Sequence, residues 1–254
     1  MFQTLSDVFV DNPLIVSFAL VGFTMYIAYF MSDKLTKGRI HGSAIAIILG
    51  LILAYIGGVT TGGEKGLSDV SIFAGIGLMG GGMLRDFAIV STAFGANFDE
   101  IKKAGFSGVA SLFIGVVLSF VIGVVIALAF GYTDAVSLTT IGAGTATYIV
   151  GPVTGAAIGA SSTVITISIA AGLVKSILTM VGTPFIAKYI GLNNPRSAMI
   201  YGGLLGTTSG VAGGLAATNP KLVPYGAVTA TFYTGLGCLM GPSVLFLVTK
   251  AITG

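Results

Sequence analysis

One lysine stands alone in an apolar run. Lys175 lies about 12 residues from either end of the stretch 163–187 and is the only charged side chain in it. An ammonium at that depth in hydrocarbon is costly and by default marks a function. A substrate carboxylate is one candidate partner; the alternatives are a water-filled cavity or a facing subunit. Two glycine and hydroxyl motifs lie on either side of it in sequence. Gly151-x-x-Thr154-Gly155-x-x-x-Gly159 is echoed 55 residues later by Gly206-x-x-Ser209-Gly210-x-x-x-Gly214, and Ala157 and Thr163 match Ala212 and Thr218 at the same offset. Glycine and Pro152 interrupt a helix. An interrupted helix exposes amides whose partial positive charge favours an anion, and carbonyls that suit a small cation such as Na⁺. On this reading the substrate contacts are Thr154, Gly155, Thr207, Thr208, Ser209, Gly210 and Lys175, with Gly155 and Gly210 opening the returning half-helices. Gly151, Ser161, Ser162, Gly206 and Asn219 are the candidate ion ligands. The competing reading is that small residues spaced by three merely let helices pack closely.

The rest of the chain indicates what must hold these residues. Of 254 residues 54% are apolar and 8% charged, with a mean hydropathy of +1.00. Soluble domains average about 25% charged residues, so the sequence predicts an all-α integral membrane protein. Val116–Phe130 carries Ser119 as its only polar side chain, which is unlike the alternation of a membrane barrel. The expected organisation is one membrane domain, 1–254, with about six transmembrane helices and two oppositely oriented re-entrant helical hairpins. Residues 14–130 hold four helices, Leu14–Met31, Ser43–Val59, Val70–Phe94 and Gly105–Phe130. Residues 135–190 and 191–250 form inverted repeats, each a broken segment followed by an apolar helix.

Charge distribution favours hairpins over full crossings. Lys and Arg concentrate in short cytoplasmic loops. With the N-terminus outside and both broken segments re-entrant, Lys34, Lys37, Arg39, Lys102, Lys103, Lys188, Arg196 and Lys221 are cytoplasmic, leaving Lys65 and Lys250 outside. Full crossings would move Lys188 and Arg196 outside as well. Asp7 and Asp11 precede the first apolar run without a basic segment, which predicts a retained first helix and not a cleaved signal peptide. Arg85 and Asp86 follow a triple glycine. They are buried if the third helix reaches Phe94 and interfacial if it ends near Leu84, the preferred reading.

Several function classes fit poorly. His41, the single histidine, lies in a basic loop, and Cys238, the single cysteine, lies among glycines, where it packs as a small residue. Neither supports a metal cluster, and no phosphate-loop motif, acid pair or nucleophile triad is present. No cofactor is expected, and the net charge of +3 is accounted for by loops, with no implication of nucleic acid. The chemistry points to a secondary transporter of an anion. A channel or holin-like protein, a carrier of another small organic anion, and a purely structural subunit remain as alternatives.

The blocks "GRIHGSAIAI", "GIGLMGGGMLRDFAIVSTAFG", "YIVGPVTGAAIGASS", "NNPRSAMIYGGLLGTTSGVA" and "VPYGAVTATFYTGLGCLMGPS" resemble the MadM subunit family of bacterial malonate transporters, from about residue 14 to the C-terminus. The resemblance implies malonate uptake coupled to Na⁺ in the bacterial cytoplasmic membrane, with a second membrane subunit, MadL, as partner and a higher oligomer open. Alternating access would then move the hairpin-bearing half against the first helices or against the partner.

Overall fold

The computed structural model describes residues 2–38, 40, 42–63, 65–80 and 98–254, and every regular element among them is helical. The chain divides into two compact units, Met1–Ser91 and Thr92–Gly254. Five described helices are long and apolar enough to cross a membrane: Pro13–Leu35, Ala44–Thr61, Gly105–Ala129, Ser162–Ile186 and the segment Pro220–Thr253. They overlap five of the six expected spans. Most of the remaining span, with Arg85 and Asp86, lies outside the described residues.

In the first unit, α1 (Phe2–Asp11) ends at Asn12, and Pro13 opens α2 (Pro13–Leu35). Proline is tolerated at that first position because its missing N–H has no helical partner there. Ser32 Oγ donates to Ile40 O at 2.6 Å, closing the loop to α3 (Gly42–Thr61). The expected third helix does not start at Val70. That residue is extended between two 3₁₀ turns, and α4 begins only at Gly75 (Gly75–Gly80).

The second unit carries the candidate site. Its first helix, α5 (Phe98–Ala129), is kinked at Gly105, whose φ of 63° is outside the helical range. Two short helices follow, α6 (Ala135–Ala146) and α7 (Val150–Ile158), then the long α8 (Ser162–Ile186). The pattern recurs as α9 (Pro195–Leu205), α10 (Thr208–Thr218) and α11 (Val223–Met240). A π-helical turn, Gly241–Leu245, joins α11 to α12 (Phe246–Thr253).

Both pairs of short helices fold back on themselves. A Cβ added at Gly151 of α7 would lie 2.8 Å from Gly144 Cα, and one at Gly155 would lie 2.8 Å from Thr140 Cγ2. α7 therefore runs antiparallel against α6. In the second pair, a Cβ at Gly226 would meet Ala198 O at 3.3 Å and would collide with Leu215. A straight helix would separate those two residues by about 25 Å; here both reach one glycine of α11.

Local signals start and stop these helices. Asp134 caps α6 by accepting the Ser137 N–H at 2.8 Å. Partial burial alone would raise its pKa, but the hydrogen bonds from Ser137 and nearby amides prevail and hold the carboxyl below its usual range. Asn194 caps α9 in a reciprocal box with Ser197. The reversals fall at extended Thr147 and at Gly206–Thr207. Pro152 is not the break: it sits in the first turn of α7, where the absent donor costs nothing.

The elements repeat at a different offset from the glycine echo. Gly131 and Gly191, both at positive φ, Asp134 and Asn194, Ser137 and Ser197, and Thr147 and Thr207 all lie 60 residues apart. The 55-residue echo pairs unlike positions: Gly151 is inside α7, whereas Gly206 is the left-handed cap of α9.

α8 is the spine against which both hairpins pack, and its polarity is reversed for lipid. Five of its seven buried positions are small or hydroxyl residues, Ser168, Gly172, Ser176, Thr179 and Thr183, beside the apolar Val164 and Met180, while Val174, Leu178 and Phe185 face outward. Small and hydroxyl residues permit close approach where no hydrophobic force drives association. The first hairpin covers the N-terminal half of α8: Cβ atoms at Gly155 and Gly151 would meet Ile165 and Ser168. The second covers the C-terminal half, with Gly210 against Ser176, Gly213 against Met180 and Gly214 against Thr183. The two tips thus approach from opposite ends of α8 and meet near its middle.

Candidate functional site

Lys175 occupies that meeting point. Its Nζ donates to Ser119 Oγ of α5 at 2.8 Å, to the carbonyl of Ala146 at the first tip at 2.9 Å, and to Tyr233 Oη of α11 at 3.4 Å. The ammonium also stands 5.1 Å from the centroid of the Tyr233 ring, within cation–π range. Tyr233, fully buried, donates its own hydroxyl to Gly115 O at 3.1 Å. All of the lysine's acceptors are neutral, and among the described residues no carboxylate forms an ion pair with it. Among the described residues its charge is solvated by dipoles but not cancelled.

The second tip adjoins the first on the next residue of α8. Ser176 Oγ is hydrogen-bonded to Thr207 Oγ1, both side chains being fully buried. Thr207 is the N-cap residue of α10, so Thr208, Ser209 and Gly210 form its first turn, where helical amides lack intrahelical acceptors. Ser209 Oγ is buried with no hydrogen-bond partner. A Cβ at Gly206 would collide with the Tyr233 ring, which brings this tip onto the same tyrosine that faces Lys175. Val116, Phe120, Ala146, Tyr233 and Leu245 form one packed cluster, of which Ala146 and Tyr233 contact the ammonium. A largely apolar cleft of about 900 Å³ reaches it between α5 and α8, with Ser119, Tyr132, Thr145, Lys175, Thr179, Thr183 and Tyr201 as its polar lining.

The predicted residues thus separate into groups. Lys175, Gly206, Thr207, Thr208, Ser209 and Gly210 come together at the tips. Thr154 and Gly155 do not: they lie in the body of α7, Thr154 fully buried and without a hydrogen-bond partner. Gly151 packs beside Ser168. Ser161 and Asn219 sit at the hairpin bases and cap helical turns, accepting the N–H groups of Val164 and Lys221 at 3.4 and 3.2 Å. Ser162 is exposed at the start of α8. Ser119, Ser176, Tyr233 and the Ala146 carbonyl were missed. Ser119 had a signal, as the one polar side chain of its run; the Ala146 carbonyl had none, because any residue supplies one.

Comparison with known families matches residues 5–253 to a family model described as malonate/sodium symporter MadM subunit. No curated protein and no solved structure matches the chain.

Proposed function

The chain belongs to the malonate/sodium symporter MadM subunit family, and on that premise we propose that malonate binds between the two hairpin tips against Lys175. The observation that carries this reading is an ammonium held where both tips converge, with no carboxylate paired to it among the described residues. A dicarboxylate brings about two negative charges that cannot be buried uncompensated. One carboxylate pairs with Nζ, displacing the longest of its three bonds, that to Tyr233. The other meets the first-turn amides of α10 and the unpartnered Ser209 hydroxyl, where the helix terminus favours an anion. Thr207, bonded to the neighbour of Lys175, brings these two donor sets side by side.

In this reading the hairpins are re-entrant from opposite faces of the cytoplasmic membrane, the N-terminus is outside, and the second subunit is MadL. Release of one tip exposes Lys175 to one side, and release of the other exposes it to the opposite side. Co-bound Na⁺ offsets part of the substrate charge. The test is malonate uptake into vesicles carrying both subunits, with Na⁺ replaced by K⁺, and with succinate, citrate and acetate as competitors. Na⁺-dependent uptake that only malonate inhibits strongly is the expected result. Uptake indifferent to Na⁺, or equal competition by acetate, would overturn it.

A further inference from the structure

Thr154 is anomalous among the helix threonines. Thr139, Thr140, Thr145, Thr166, Thr218 and Thr231 each return the hydroxyl to the carbonyl four residues back, at 2.6–2.9 Å. Thr154 is fully buried and makes no such bond to Val150 or to any other group. Leaving a buried hydroxyl unsatisfied is costly, so its orientation requires a reason. The hydroxyl is turned toward α11, where a Cβ at Gly241 would collide with Oγ1; one turn earlier, a Cβ at Gly237 would lie 2.8 Å from Val150 Cγ2. Two glycines four residues apart thus bring the α11 backbone against Val150 and Thr154.

The backbone at that contact is itself irregular. α11 gives way at Gly241 to a π-helical turn, with Pro242, which lacks an N–H, at its second position. π turns loosen the regular pairing of carbonyls and recur at functional sites. Gly237 O accepts the Gly241 N–H but retains a second lone pair. The Thr154 hydroxyl and the irregular Gly237–Gly241 backbone, which carries carbonyl oxygens, come together here. Hard cations take oxygen ligands of this kind.

We infer that Thr154 Oγ1, with carbonyls of the Gly237–Gly241 turn of α11, ligates the coupling Na⁺. The inference rests on the symport reading above and adds the place where the ion binds. It places the cation away from Lys175, whose charge would repel it at the tips. It also supplies a coupling route. An ion bridging α7 and α11 fixes the first hairpin, whose tip carbonyl at Ala146 orients Lys175 for the anion. Na⁺ binding then raises malonate affinity, and by linkage malonate raises Na⁺ affinity.

The test uses the purified two-subunit complex, with NaCl, KCl or choline chloride as the probe. Wild type gains thermal stability in NaCl over KCl, and its malonate affinity rises with Na⁺. Thr154→Val keeps shape but removes the oxygen. It should lose the Na⁺-specific stabilisation and raise the Na⁺ concentration for half-maximal malonate binding at least ten-fold, while Thr154→Ser stays near wild type. Gly241→Ala, which pushes on Oγ1, should shift Na⁺ dependence in the same direction as Thr154→Val. An unchanged Na⁺ dependence in Thr154→Val, with wild type still Na⁺-dependent, would show that the hydroxyl holds only water. Lost malonate affinity at saturating Na⁺ would make Thr154 a substrate contact. Either result overturns the inference while leaving symport intact; a wild type indifferent to Na⁺ overturns symport itself.

Discussion

Replacing Lys175 with methionine should move stability and binding in opposite directions. The ammonium is held by Ser119, Ala146 O and Tyr233, all neutral. Lys175→Met leaves the Ala146 carbonyl without that donor, a cost of about 1–3 kcal/mol. The two hydroxyls can pair elsewhere. Against this, the protein no longer desolvates an unbalanced charge, an effect of several kcal/mol. The expected net change in melting temperature is zero or a small increase. Substrate binding has no such offset. Truncating one partner of a buried, hydrogen-bonded charge pair costs about 2–5 kcal/mol, a loss of about thirty-fold to several-thousand-fold in affinity. Equilibrium binding of labelled malonate to the purified complex reads the second effect, and thermal unfolding of the same sample reads the first. A variant several degrees less stable that binds malonate with unaltered affinity would make Lys175 a structural residue and refute the reasoning.

Two further outcomes follow from the same geometry. Tyr233→Phe keeps the packed ring but removes the hydroxyl that receives Nζ and donates to Gly115 O; about 1–2 kcal/mol of stability should be lost, read by thermal unfolding, with malonate affinity changing less than in Lys175→Met. With Cys238 replaced by alanine, cysteines introduced at exposed Thr133 and Asn193 report on the two hairpin bases. Impermeant maleimide added outside intact cells should label the first and not the second, and outside labelling of the second would remove the opposed hairpins.

Much of this architecture was legible because lipid imposes long apolar helices and confines irregular backbone to protected sites. Small-residue clusters marked two interrupted segments, and both reverse in the fold; the lysine counts bear on sidedness, which the maleimide labelling tests. The position of each reversal was not legible from composition. Pro152 and the glycines draw attention to 151–155, yet the chain turns at extended Thr147, next to Tyr148, whose backbone lies against Gly172 of α8. The 60-residue recurrence of caps was present in sequence, in Asp134-x-x-Ser137 and Asn194-x-x-Ser197, but a glycine-rich background gave the 55-residue echo more matches. Lys175 was identifiable because charge at membrane depth is rare. Its partners Ser119 and Tyr233 lie 56 and 58 residues away in sequence, and only the packing of α5 and α11 brings them to it.

The adjacency of Lys175 and Ser176 bears on leak. A carrier wastes its ion gradient whenever an open path spans the membrane, and under the gating proposed above such a path needs both tips displaced together. The first tip is tied to Lys175 through Ala146 O and the second to Ser176 through Thr207, so consecutive side chains hold the two doors by separate bonds. To the extent that the bonds break independently, their free-energy costs add, and the fraction of molecules open on both sides is the product of two small fractions. Under that proposal one turn of helix acts as an airlock.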